Sequence, residues 1–292
     1  MLKCINDLTK SYKGDERSPK GLGFSASAEE VGKTMYGQDS KIWYVQETKS
    51  CKKWSKINLK SLDKIEFSSL PKDFFNKAYF PKTEKINKED ETGLEEKFGG
   101  SVPFFVKGES WPINKDNDKK YVFVAQFKDP RSETNMLTRI FMDFDSNDDI
   151  DIFSKENIYL DTIELSEKNI KNQIKIDIDD DDELTIHQPY KIIKWNESSE
   201  YKEQQYFLEK FGLTDNKESV FHNFYYDNLV PNDGIKVGGT PTYTQLNTDY
   251  SIPHFLQLTE CKEIPYAWGD SGIAHIYADN NIRSFGFDWD CC

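Results

Sequence analysis

Apolar residues in this chain fall into short runs separated by polar turns, which is typical of β-strands. We predict strands at residues 121–127, 139–144, 158–160, 184–186, 190–195, 255–258, 273–277 and 282–289. The strands do not alternate regularly with helices. The pattern therefore predicts an α+β fold with largely antiparallel sheets and few helices.

One helix is predicted near the middle of the chain. Ser198 or Ser199 is in position to cap its first turn, and Gly212 is in position to end it. Tyr201, Phe207, Leu208 and Phe211 follow at helical spacing.

The N-terminal part reads as a separate module. Residues 41–46 and 53–57 are rich in aromatic and β-branched residues and flank a polar turn, which predicts a β-hairpin. Residues 1–75 carry a net charge of +4 and residues 76–292 a net charge of −17. This asymmetry predicts two domains, 1–75 and 76–292, with an acidic insertion near 143–190 in the second.

A short motif occurs twice in the predicted second domain. The first copy contains Gly99, Gly100 and Pro103, followed by Gln126 in an apolar run. The second copy contains Gly238, Gly239 and Pro241, followed by Gln257 in an apolar run. This repetition predicts an internal duplication in which the glycines form tight turns. The glutamines either bond backbone groups of neighbouring loops or line one shared cleft that binds a polar ligand.

Several motifs from residue 98 onwards resemble those of the YwqG-like family, a group of bacterial and viral proteins without an assigned activity. Besides the two Gly-Gly motifs, the resemblance rests on Trp111, Gln245, and residues 268–277 and 287–291. It implies a fold of mixed strands and helices and no particular chemistry. Residues 32–54 loosely resemble small β modules found in proteins of large DNA viruses.

The segment 268–275 holds the best candidates for chemistry. Asp270 lies between two glycines, and His275 follows five residues later. Together they could form an acid–base pair, or Asp270 could simply cap a tight turn. We therefore place Gln126, Gln257, Trp268, Asp270 and His275 in a candidate ligand-binding cleft and assign no catalytic residue.

Common nucleotide-binding and nucleophile motifs are absent, and none of the four histidines has metal-ligand spacing. We predict no cofactor and no metal centre. The acidic runs 143–149 and 177–183 lack the EF-hand pattern and would bind divalent cations only weakly. Five cysteines give no disulfide framework, although Cys291 and Cys292 leave soft-metal or redox chemistry open.

The net charge of −13 argues against nucleic-acid binding by the main body. No apolar run is long enough to span a membrane and no signal peptide is recognised, so the expected location is the cytoplasm, of a host cell or in a virion if the protein is viral. We predict a non-enzymatic interaction protein with an unknown protein partner, for example a toxin antagonist or a virion or host-interaction component. The alternatives are a small-ligand-binding protein and an enzyme with a cleft around Asp270 and His275.

Overall fold

The computed structural model describes residues 1–144, 157–176, 186, 188–213, 218–243, 252–266, 268, 272–279, 282 and 284–290, with backbone only at 218–220. The chain divides into two compact units. The first comprises Met1–Asn76 and Tyr201–Val230, and the second comprises Lys77–Glu200 and Pro231–Cys292. The described part of the chain has no helix long and apolar enough to cross a membrane.

The described residues form mostly strands. In chain order these are β1 (Leu2–Lys3), β2 (Ser11–Tyr12), β3 (Thr34–Tyr36), β4 (Ile42–Glu47), β5 (Lys52–Lys56), β6 (Phe75–Lys85), β7 (Lys97–Phe98), β8 (Phe105–Val106), β9 (Val122–Lys128), β10 (Met136–Met142), β11 (Ile158–Glu164), β12 (Gln173–Ile174), β13 (Tyr190–Tyr201), β14 (Lys236–Gly238), β15 (His254–Thr259), β16 (Ile273–Ala278) and β17 (Phe285–Asp290). The α-helices are α1 (Glu167–Lys171), α2 (Gln204–Phe211) and α3 (Glu218–Asn228). Short 3-10 turns lie at Pro19–Leu22, Ala26–Ala28, Leu59–Lys64, Phe67–Ser69, Lys72–Phe74 and Lys88–Asp90.

The first unit contains the hairpin predicted from the sequence. Strands β4 and β5 pair antiparallel, and β3 adds on the other side of β4 to make a three-stranded sheet. Helices α2 and α3 pack in the same unit, where Phe74, Phe207 and Phe221 are completely buried. Burial of three aromatic side chains gives this small unit a core of its own.

The prediction for this helix is correct at its C-terminal end and wrong at its N-terminal end. Gly212 adopts a left-handed conformation (φ +67°) directly after α2, as expected of a C-terminal cap. Ser198 and Ser199, however, lie in strand β13, and α2 begins only at Gln204. Strand pairing extends β13 to Tyr201 and takes the place of the predicted first helical turn.

The second unit is built on a ten-stranded sheet with the order β11-β10-β9-β7-β13-β6-β14-β15-β16-β17. Neighbouring strands pair antiparallel from β11 to β13 and again from β6 to β17. Apolar side chains from both ends of this order, including Phe127, Ile140, Phe255 and Ile276, form one buried cluster. The core of the unit therefore joins residues that lie far apart along the chain.

The predicted α+β class is wrong, because the described structure is mostly β. The three α-helices of the described residues have 5, 8 and 11 residues and, within that part of the chain, form no layer comparable with the ten-stranded sheet. The sequence pattern missed the long strand β6 and the part of β13 after residue 195, in which most positions are exposed or only partly buried. Because few of their side chains enter a core, hydrophobic alternation does not reveal them.

Strands on the two sides of β13 and β6 correspond in order. We call β7, β9, β10 and β11 with residues 101–121 the first half, and β14 to β17 with residues 239–243 the second half. In both halves, the strand with the Gly-Gly motif is followed in the sheet by the strand with the glutamine and then by two more strands. The repeated motif thus occupies equivalent places in one sheet.

Candidate functional site

Each Gly-Gly motif forms a turn that only glycine fits. Gly99 and Gly100 have φ angles of +65° and +89°, and Gly238 and Gly239 have φ angles of +67° and +73°. A Cβ atom on Gly99 would lie 2.7 Å from the Gln188 carbonyl oxygen. These left-handed turns and close approaches explain why both copies keep two glycines.

A buried lysine precedes each Gly-Gly pair by two residues, and sequence reasoning missed both. Lys97 pairs with Glu91 and donates to the Val102 carbonyl. Lys236 lies 2.9 Å from a carboxylate oxygen of Glu200 and donates to the Thr240 carbonyl. Both lysines are fully buried. Their signal in the sequence is a lysine, one apolar residue and then the Gly-Gly pair in both copies.

Burial sets the electrostatics of these pairs. Desolvation lowers the pKa of Lys97 and of Lys236, and the attraction of the partner glutamates opposes that shift. The carboxylates also accept backbone N–H groups of the turns, from Ser101 to Glu91 and from Thr240 to Glu200. Each ion pair therefore fastens the turn beside it and has a structural role.

The glutamines hold the loops of their own halves. Gln126 accepts a hydrogen bond from the Phe104 N–H and donates to the carbonyls of Gly93 and Glu95. Gln257 accepts from the Thr242 N–H and donates to the Gly234 carbonyl. Both side chains are fully buried. These contacts confirm the interpretation in which the glutamines bond backbone groups.

Strand register aligns the halves residue by residue. Lys97, Gln126, Arg139 and Asp161 lie opposite one another across four strands. Lys236, Gln257, His275 and Asp288 do so in the second half. His275 is thus the equivalent of Arg139. The same register makes Phe123 equivalent to His254, Phe141 to Tyr277 and Ile163 to Asp290. Phe104 and Thr242 each donate a backbone N–H to the glutamine of their half, so the residues that follow them, Phe105 and Tyr243, are also equivalent.

In the first half this position holds a paired arginine beside an apolar aromatic cluster. The Arg139 guanidinium binds Asp161 and Glu109 and donates to the Phe104 carbonyl. It also lies over the Phe105 ring, at 5.1 Å from the ring centroid. Burial opposes the charge of Arg139, but the hydrogen bonds to Asp161 and Glu109 outweigh it and raise the pKa of Arg139. Phe105, Phe123 and Phe141 belong to one buried aromatic cluster beside it.

In the second half the same position is polar. The His275 ring centroid lies 4.9 Å from that of Tyr243, and the Tyr243 and Tyr277 hydroxyls are 2.7 Å apart. His254 Nε2 lies 3.5 Å from His275 Nδ1. Three phenylalanines and an arginine of the first half are thus replaced by two tyrosines and two histidines. We call His254, His275, Tyr243, Tyr277 and Asp290 the His/Tyr cluster.

Neighbouring acceptors determine the protonation of these histidines. His254 Nδ1 lies 3.1 Å from the Gly238 carbonyl oxygen, so Nδ1 carries the proton and Nε2 accepts. Burial, followed by the nearby His275 and Lys236, holds the pKa of His254 well below its usual range, which keeps it neutral. His275 therefore donates from Nδ1 to His254.

The remaining ring nitrogen of His275 faces a carboxylate. His275 Nε2 is buried and makes no hydrogen bond to any described residue, and it lies 3.5 Å from Asp290 Oδ1. The two side chains form an ion pair only when His275 is protonated.

The other predicted site residues are dispersed. Trp268 packs against Tyr266 and Phe287 in the core. Trp111 is buried in the first half and donates to the Tyr121 carbonyl. Asp270, Gln245, Cys291 and Cys292 lie outside the described residues, so the pairing of Asp270 with His275 stays a prediction.

The predicted weak cation sites are mostly outside the described residues as well. Asp143, at the start of the first acidic run, accepts hydrogen bonds from Asn114 and Asn117. Residues 145–149 and the whole run 177–183 are not described. Among the described residues, no group of three or more histidine, cysteine or acidic side chains has an arrangement that could hold a metal ion.

Comparison with known proteins assigns the larger part of the chain to a protein family. No curated protein matches the sequence. A family model described as a domain of unknown function matches residues 96–288, which include both Gly-Gly motifs, both glutamines and the histidines and tyrosines of the His/Tyr cluster. The chain therefore belongs to this uncharacterised family, DUF1963.

Proposed function

We propose that the protein binds a small polar ligand at the His/Tyr cluster of the second half. This is the ligand-binding alternative of the sequence analysis. His275 lies in the proposed site, and Gln257 supports the loop beside it. Gln257 bonds the loop residue Thr242, which positions the adjacent Tyr243 over His275.

A single observation carries the proposal: equivalent positions of one sheet hold apolar rings in the first half and ionisable rings in the second. The phenylalanines of the first half show that a buried apolar cluster suits this place in the fold. Buried polar groups cost stability unless they are fully paired, and such groups concentrate where function requires them. The second half therefore carries chemistry that folding alone does not need.

The duplication supplies its own control for a binding experiment. The full chain and its Tyr243→Phe/Tyr277→Phe variant are screened by thermal shift against one panel of sugars, carboxylates, amines and nucleotides. The variant has the ring types of the first half, so it should fold. We expect at least one class of compound to raise the melting temperature of the original protein and not of the variant. A panel in which no compound distinguishes the two proteins contradicts the proposal.

A second candidate function is the non-enzymatic protein interaction predicted from the sequence. It is favoured by exposed apolar side chains in the first unit, where Leu2, Ile5 and Leu8 are 58%, 66% and 72% exposed. The net charge of −13 favours a basic partner, such as a toxin or a host protein. Pull-down from native cells with the full chain and with a Leu2→Ser/Ile5→Ser/Leu8→Ser variant tests this. Recovery of the same partners by both proteins contradicts a role for these side chains.

We also propose the two finer resemblances of the sequence analysis, to the YwqG-like group and to viral β modules. The order of motifs from residue 98 onwards supports placement in the YwqG-like group, and the paired strands β4 and β5 are the basis of the comparison with viral β modules. A cytoplasmic or virion location is proposed with them. Fractionation of the native cells, with detection of the full chain, tests that location.

A further inference from the structure

Exposed apolar side chains of the first unit are concentrated in one short segment. Among the described residues, five large apolar side chains are more than half exposed, and four of these lie within residues 1–8. They are Met1, Leu2, Ile5 and Leu8. Single exposed apolar residues are ordinary on a protein surface, whereas a group of them marks a surface that another molecule covers.

These side chains belong to one continuous surface. Leu2 lies directly opposite Tyr12 in the β1–β2 pair, and Leu8 lies in the loop that joins these two strands. Ile5 and Tyr12 both lie beside Gly23, where an added Cβ would meet them at 3.1 and 3.4 Å. The exposed Leu22 precedes this glycine. We call the following residues the N-terminal apolar surface: Leu2, Ile5, Leu8, Tyr12 and Leu22.

Positive charges alternate with these apolar side chains. Lys3, Lys10 and Lys20 each lie within two residues of a member of the N-terminal apolar surface, and all three are exposed. Residues 1–22 contain five Lys or Arg and three Asp or Glu, a net charge of +2, although the whole chain has a net charge of −13. A molecule that covers this surface therefore contacts apolar and positive groups together.

This combination discriminates between classes of partner. The buried centre of a protein–protein interface is depleted of lysine, because the ammonium group is costly to desolvate. An anionic lipid surface has the opposite preference. Apolar side chains enter the boundary between headgroups and acyl chains, and the lysines beside them stay among the phosphates. Lysine also lays its apolar stem along the inserted groups, so each of its parts has a suitable environment.

We propose that the N-terminal apolar surface docks the protein onto an anionic phospholipid membrane. Its leucine and isoleucine side chains enter the interface, and the flanking lysines attract the headgroups. Charges more than about 10 Å from the bilayer are largely screened at physiological salt, so the local charge of +2 matters more than the total of −13. The inference goes beyond the ligand binding proposed for the His/Tyr cluster and is independent of it, because it concerns the first unit alone.

Co-sedimentation of the full chain with lipid vesicles tests the proposal. The vesicles contain phosphatidylcholine alone, or phosphatidylcholine mixed with phosphatidylserine. We expect partitioning onto the anionic vesicles to exceed partitioning onto the neutral ones by at least about tenfold, because each lysine near an anionic surface adds to the attraction. Equal partitioning onto both kinds of vesicle, or no sedimentation with either, overturns the proposal.

An apolar variant locates the binding. Leu2→Ser/Ile5→Ser/Leu8→Ser should reduce partitioning onto the anionic vesicles by at least about tenfold, because less apolar area enters the interface. The matched control is Ile113→Ser/Ile193→Ser, which removes two exposed apolar side chains of the second unit and should partition like the original protein. An apolar variant that partitions no less than this control overturns the proposal.

A second variant separates the role of charge from that of apolar area. Lys3→Gln/Lys10→Gln/Lys20→Gln keeps the N-terminal apolar surface and removes three positive charges beside it. Its partitioning onto the anionic vesicles should fall at least about tenfold, while partitioning onto neutral vesicles stays as in the original protein. All of these positions are exposed, so the urea unfolding midpoints of the variants should match the original. A folded lysine variant that binds anionic vesicles like the original contradicts the proposal.

A protein partner for the same side chains would give a different result. If the serine variant loses a partner in the pull-down while neither kind of vesicle carries the original chain down, the surface is a protein interface and the proposal is wrong. Such a failure leaves the proposed ligand binding intact, because the thermal-shift comparison depends on Tyr243 and Tyr277 and not on this segment.

Discussion

Removal of the Glu200 charge should destabilise the protein strongly. Glu200 pairs with Lys236, and both side chains are buried. Glu200→Gln keeps the size of the side chain and leaves the lysine ammonium without a counter-charge. The same carboxylate accepts the N–H groups of Asn232 and Thr240, so the Gly-Gly turn also loses support.

The expected loss follows from the burial of this pair. Breaking a buried ion pair by removal of one partner typically costs about 3–5 kcal/mol, because the remaining charge stays desolvated. Total stabilities of folded domains are about 5–15 kcal/mol, so the loss is a large fraction of the free energy of unfolding. Burial already lowers the pKa of Lys236, and without Glu200 nothing comparable opposes that shift.

Equilibrium unfolding of the full chain in urea measures the effect. Glu197→Gln is the matched control on the same strand, since Glu197 pairs with Lys77 at the surface, where the two side chains are 50% and 67% exposed. This control should leave the unfolding midpoint nearly unchanged. The double variant Glu200→Gln/Lys236→Met removes the unpaired charge and should recover part of the lost stability.

Two results would refute this reasoning. If Glu200→Gln shifts the urea midpoint no more than Glu197→Gln does, the buried pair does not stabilise the turn. If addition of Lys236→Met worsens the loss instead of relieving it, the cost does not come from an unpaired buried charge.

Three further predictions concern single residues. Gly238→Ala should lower the free energy of unfolding by more than Gly212→Ala does, and for Gly212→Ala we expect a loss of about 1 kcal/mol in urea denaturation. Both positions have a φ of +67°, but only at Gly238 would a Cβ meet a carbonyl oxygen, at 2.9 Å. Equal losses in the two variants would contradict this prediction. Gln126→Leu should cost about 2–4 kcal/mol in the same assay, because it leaves backbone groups of two loops unpaired, and a neutral effect would show that water replaces the amide. Because the pKa of His254 is depressed in the folded protein, the unfolded chain binds more protons below about pH 6.5. The free energy of unfolding is therefore retained above that pH and falls as the pH drops, by up to about 1.4 kcal/mol per pH unit. His254→Phe should reduce this dependence, and an unchanged pH profile of unfolding would contradict the assignment.

Local patterns predict part of this fold from sequence. Residues 122–128 and 254–259 are strands because dense apolar runs enter the common core, and such runs are visible in the sequence. Strand β6 and the part of β13 after residue 195 are not visible, because side chains that alternate between solvent and partial burial leave no apolar period.

The candidate site could be predicted only in outline. The repeated glycines and glutamines identify the two halves, and the buried glutamines then explain why the motif persists. The difference between the halves appears only through strand register, which makes His275 the equivalent of Arg139 and His254 the equivalent of Phe123. Sequence spacing alone cannot show this, because the loops between these strands differ in length.

The stability of Tyr243→Phe/Tyr277→Phe tests most directly whether the His/Tyr cluster serves binding instead of folding. The two hydroxyls bond each other at 2.7 Å, and replacement of both hydrogen-bonded partners by apolar groups of the same shape is close to neutral. We predict that the free energy of unfolding in urea stays within about 0.5 kcal/mol of the original value or rises. A loss of about 2 kcal/mol or more would show that the cluster is needed for folding, and would contradict the account.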